Sequence, residues 1–79
     1  MEYQIKTFEA LDGEKLVGFF VKHNGKTLAI DKRVPIASGK TDEQYVQEAL
    51  ALAQAEIDDW AATASVVGRK FNPATGSFE

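Results

Sequence analysis

Seventy-nine residues with 44% hydrophobic and 27% charged side chains describe one small globular domain, because a chain this short builds a single core and no second one. The formal charge is −3 and cysteine is absent, which excludes disulfide staples, thiolate metal sites and a cysteine nucleophile together. No apolar run approaches the ~20 residues of a membrane span, and the alternating start MEYQIKTFEA has no basic segment followed by an apolar one, so a cytoplasmic protein without a signal peptide is the expectation.

The charge is unevenly spread. Seven bases face five acids in residues 1–40, six acids and no base fall in residues 41–65, and Arg69 and Lys70 stand against Glu79 in the rest. Two surfaces of opposite sign are expected, a mildly basic one and a strongly acidic one.

The first half reads with period two. Residues 2–10 alternate Tyr3, Ile5 and Thr7 against Gln4, Lys6 and Phe8, and the run 11–15 supplies an Asp12-Gly13 turn. Residues 16–23 are rich in β-branched and aromatic types. Asn24-Gly25 follows, and a type I′ turn needs positive φ at both central positions, which this pair tolerates best. Residues 27–35 make the return strand, ended by Pro35, whose nitrogen donates nothing to a ladder. A two-residue loop at 24–25 pairs His23 with Lys26, Val21 with Leu28, Phe19 with Ile30 and Val17 with Lys32. Val17, Phe19, Val21, Leu28 and Ile30 then share the core face, with Ile5. Strict alternation puts Lys6, Phe8, Leu16, Phe20, Lys22 and Arg33 on the opposite face, where aromatic and aliphatic groups mix with bases.

The helix begins with Thr41 as N-cap. Gln44 stands at the capping-box position, and Asp42 and Glu43 place negative charge on the positive end of the helix dipole. Val46, Ala49, Leu50, Ala53, Ile57, Trp60 and Ala64 recur at three- and four-residue steps, which predicts a helix over 41–65. Residues 66–79 contain an Asn72–Gly76 turn signal between Phe71 and Phe78, which predicts an extended tail or a short extra strand. The expected architecture is α+β: a three-stranded antiparallel sheet packed on one long C-terminal helix, in the order βββα, as a single domain over 1–79.

Catalytic chemistry finds few residues to work with. His23 is the one histidine, beside a turn, and cannot build a zinc site without nitrogen or sulfur partners. Asp58 and Asp59 are helix neighbours about 100° apart, which is poor geometry for a carboxylate pair. Gly39-Lys40-Thr41 before a helix mimics the end of a phosphate-binding loop, yet Val34 stands where the motif needs glycine and no parallel βαβ unit holds it. No enzyme, cofactor or metal site is expected.

The passage Gly39-Lys40-Thr41, Glu43 and Glu48-Ala49-Leu50 resembles the strand-to-helix passage of HicB-type antitoxin domains, in which three strands precede a helix. The resemblance implies a small regulatory or inhibitor-like protein that acts on a partner. From the residues themselves two function classes remain. One is a protein-interaction module that binds a partner protein or a second copy through the apolar sheet face, an edge strand, or the acidic helix at Asp58 and Asp59. The alternative is a nucleic-acid-binding module that stacks bases on Phe8 and Phe20 between Lys6, Lys22 and Arg33, unless Phe71 and Phe78 cover those rings.

Overall fold

The computed structural model describes the whole chain, Met1–Glu79. Three ten-residue strands, β1 (Glu2–Leu11), β2 (Glu14–His23) and β3 (Lys26–Pro35), form an antiparallel sheet in the order β1-β2-β3. One 23-residue helix, α1 (Asp42–Ala64), follows. Two short strands, β4 (Phe71–Asn72) and β5 (Ser77–Phe78), close a separate small hairpin. The α+β, βββα architecture is the one the sequence predicts, and the 66–79 segment forms a hairpin where an extended tail or single strand was expected.

Both sheet connections are two-residue turns with positive φ throughout: Asp12 at 49° and Gly13 at 80°, Asn24 at 51° and Gly25 at 76°. That is the type I′ signature, whose twist matches the twist of the strands it joins. The β2–β3 register follows directly, with His23 opposite Lys26, Phe19 opposite Ile30 and Val17 opposite Lys32.

The β1–β2 register departs from strict alternation. Ile5 lies opposite Phe19 but Thr7 lies opposite Gly18, so Lys6 is an extra residue in the ladder. A bulge of this kind reverses the facing of every residue beyond it. Phe8 therefore pairs with Val17 on the inner, helix-covered face and meets the Tyr45 ring edge-on at 6.4 Å. Its expected place on the outer face beside Phe20 is corrected on that ground.

The helix starts as its cap predicts. The Thr41 hydroxyl accepts from the Gln44 backbone N–H, and the Gln44 side chain accepts from the Thr41 N–H. Its buried stripe is Tyr45, Ala49, Ala53 and Ile57, at four-residue steps. Alanine at 49 and 53, both fully buried, has no bulk beyond Cβ and lets the helix backbone approach the sheet. The core closes on Val17, Phe19, Val21, Ile30 and Val34 from the strands. Tyr45 also fastens the connection into the helix: its hydroxyl donates to the Ala37 carbonyl and accepts from the Ala37 N–H, both at 3.1 Å.

The helix contacts β3 and β2 and leaves β1 largely aside. Ile5, expected in the core, is accordingly 46% exposed. Leu28, Val46, Leu50 and Trp60, also expected there, are half-buried at its margin. The molecule is long, 59 × 18 × 17 Å. Its radius of gyration is 16.7 Å, where a compact domain of this length has about 12 Å.

Candidate functional site

Three surfaces carry the side chains singled out by the sequence, and they differ in what they can do.

The outer sheet face holds Leu16, Phe20, Lys22 and Arg33, with Lys6 reaching it from the bulge. Its centre is the Lys6–Asp31 ion pair, Nζ to Oδ1 2.8 Å. This pair lies across Gly18, where a Cβ would stand 2.3 Å from Asp31 Oδ1 and 2.8 Å from Lys6 Cε. Glycine is thus the residue that lets two charged side chains cross the middle of the sheet. Arg33 approaches Glu14 at 3.8 Å. With Glu2 and Glu9 sharing the same side of the sheet, acids match or outnumber the bases there. Phe20 is the one aromatic ring left on that face, since Phe8 turns inward. The arrangement offers mixed charge and one stacking surface, a poor match to a continuous polyanion.

Phe71 and Phe78 do not close over Phe20. They meet edge to face with ring centres 5.6 Å apart and stay 55% and 41% exposed, with the Arg69 guanidinium 4.3 Å from the Phe78 ring centre.

The acidic helix surface is only partly free. Lys32 pairs with Glu56, and Lys40 pairs with Glu48 at 2.6 Å. Asp58 is held by the Gln54 amide at 2.9 Å, and Asp59 contributes its carbonyl to the Thr63 hydroxyl. Both carboxylates are exposed on the helix, with no convergent third acid or histidine near enough for a metal. Lys40, the lysine of the phosphate-loop look-alike, lies 5.0 Å from the Tyr45 ring centre as well as against Glu48. Lys15 covers the Phe8 and Tyr45 rings from the other side, at 4.9 and 5.7 Å. These lysines therefore cap an aromatic pair at the core's rim. His23 meets Trp60 edge-on at 6.4 Å, which packs the hairpin tip against the end of α1.

The third surface is one the sequence did not single out. Because α1 covers β2 and β3, the inner face of β1 opens into a shallow, solvent-open groove of about 410 Å³. Ile5 and Val46 form its apolar part, and Asp42, Glu43 and Gln47 from the first turns of α1 form its rim. Tyr3, inward on the same strand, is 43% exposed, and Met1 beside it 55%. β1 is also an edge strand, so one side of its backbone is unpaired along the groove. A period-two reading places Ile5 on the right face but cannot tell how far a helix reaches across it. The legible signal is composition: three inward-facing strands have more apolar side chains than one alanine-rich helix stripe can cover.

Comparison with protein-family models, curated proteins and solved structures finds no match for this chain.

Proposed function

We propose that this chain is a small non-enzymatic interaction module, acting by binding another protein chain through the groove and open edge of β1. The observation that carries the reading is Ile5, an inward-facing isoleucine left 46% exposed beside Val46. An apolar floor next to an unpaired strand edge suits an extended or hairpin segment, whose backbone pairs with the edge while a side chain fills the groove. The accessible surface supports it: 5294 Å² against roughly 4,700 Å² for a compact monomer of this mass. Nucleic-acid binding through the outer face has less support, because that face keeps a single aromatic ring and balances its bases with acids.

The test compares immobilised wild type, Ile5→Glu and Phe20→Ala in extract of the native host, each checked for folding by circular dichroism. Retained protein, whether a partner or untagged copies of the chain itself, should be lost on Ile5→Glu and kept on Phe20→Ala. The reverse pattern would move the interaction to the outer face. In parallel, single-stranded DNA and RNA titrated at low salt should give no binding. Affinity that falls steeply with rising salt would replace the proposal with the nucleic-acid reading.

A further inference from the structure

The groove beside β1 asks for a ligand that is apolar and carries positive charge next to its apolar part. The chain itself contains such a segment. Arg69 and Lys70 are the only bases after Lys40, and they lead directly into Phe71, which meets Phe78 edge to face across the β4–β5 hairpin. A hairpin with two residues per strand is marginal by itself in water. Its two phenylalanines, both exposed, are the apolar face it has to bury.

The hairpin cannot reach the groove of its own chain. From Glu43 to Ala64 the helix runs 21 residues, about 32 Å at 1.5 Å each. The five residues from Ala64 to Arg69 extend about 18 Å at most. They are not extended, because Val66 and Val67 donate to the Thr63 carbonyl and Arg69 donates to that of Val66. A second copy has no such constraint.

We infer that the β4–β5 arm of one copy docks in the β1 groove of a second copy. Phe71 and Phe78 cover Ile5 and Val46, and Arg69 and Lys70 face Asp42 and Glu43. This rests on the groove being the interaction surface proposed above and names its occupant. Each copy offers one arm and one groove, and a two-fold arrangement of two copies satisfies both contacts reciprocally and closes the assembly as a dimer.

Charge reversal on each side separates this contact from any other. Sedimentation equilibrium of the wild type should give the mass of two chains. Arg69→Glu with Lys70→Glu, and separately Asp42→Lys with Glu43→Lys, should each weaken self-association on the order of tenfold or more. Mixed together, the two reversed proteins should recover a 1:1 dimer, because each acidic arm then meets a basic groove and each basic arm an acidic one. The chain has no native cysteine, so Ile5→Cys combined with Phe71→Cys should form covalent dimers under mild oxidation, and Leu16→Cys combined with Phe71→Cys should not.

A wild type that stays monomeric at millimolar concentration would overturn arm docking and leave the groove to a different protein, which the extract experiment reads separately. A dimer indifferent to both reversals, or cross-linking as well through Leu16, would overturn arm docking and leave self-association standing on another surface.

Discussion

Gly18→Ala tests whether the outer face is organised around a missing side chain. On intrinsic grounds the change should help, because alanine in place of glycine inside a strand gains roughly 0.5–1 kcal/mol. The surroundings oppose it. The new methyl would lie 2.3 Å from Asp31 Oδ1, 2.8 Å from Lys6 Cε and 3.0 Å from Thr7 Cβ. The Lys6 end can swing away, and losing an ion pair whose side chains are 26% and 44% exposed costs only about 0–1 kcal/mol. Thr7 Cβ is fixed to the backbone beside the bulge and cannot swing. Overpacking at such a contact costs about 1–3 kcal/mol. The balance is a net loss of about 1–2 kcal/mol, a fall in Tm of about 5–15 °C for a domain this small. Thermal unfolding by circular dichroism reads it, with Asp31→Ala as background. In that background the nearest clash is gone, so Gly18→Ala should cost measurably less. A Gly18→Ala protein as stable as the wild type, or an identical cost with and without Asp31, would refute the crossing of Lys6 and Asp31 over this glycine.

Phe8→Ala should destabilise more than Phe20→Ala, by about 2 kcal/mol against about 1 kcal/mol or less in urea unfolding, because the bulge turns Phe8 onto Tyr45 and leaves Phe20 on the face without a second layer. Ile57→Ala should cost about 3–4 kcal/mol by the same assay, since Ile57 is fully buried and the cavity has little means to collapse. Thr41→Ala removes the hydroxyl that accepts from Gln44 and should cost about 1 kcal/mol, with loss of amide-exchange protection confined to the first turn of α1. Tyr45→Phe should release the 36–40 connection, read as faster exchange at the Ala37 amide, which donates to the Tyr45 hydroxyl.

Most of the fold is legible because its signals are local. Asp12-Gly13 and Asn24-Gly25 set two registers through backbone geometry alone, and Thr41 with Gln44 marks the helix start through two hydrogen bonds within four residues. The misreadings in the main sheet and the helix involve distance. No letter at Lys6 marks the bulge; it shows only as a conflict between the Asp12-Gly13 register, which sets Phe8 opposite Val17, and the alternation that turns Tyr3 and Ile5 inward. The partner Lys6 then meets, Asp31, lies 25 positions away. The three- and four-residue stripe drawn through Val46 and Leu50 omits Tyr45, which is buried with its hydroxyl satisfied by the Ala37 backbone, eight residues back. Ile5 has the right alternation and the right chemistry for a core, and what leaves it open is the placement of α1 over β2 and β3. The candidate interaction surface shares that origin. Lys6, Leu16, Phe20, Lys22 and Arg33 lie together as alternation predicts, while Asp58 and Asp59 sit apart from them on the helix.

Every strand of the main sheet pairs only with a strand adjacent to it in the chain, and each pair is joined by a turn of two residues. Such a topology needs no large loop to close before its first contacts form, so loop-closure entropy hardly enters the folding barrier. Each I′ turn can start a zipper whose next rung is the nearest pair, on the microsecond scale of isolated hairpins. The helix then lands on β2 and β3, the pair made last along the chain. During synthesis this order lets the sheet assemble before the segment that covers it has emerged, and its inner row of Val17, Phe19 and Val21 stays wet until α1 arrives.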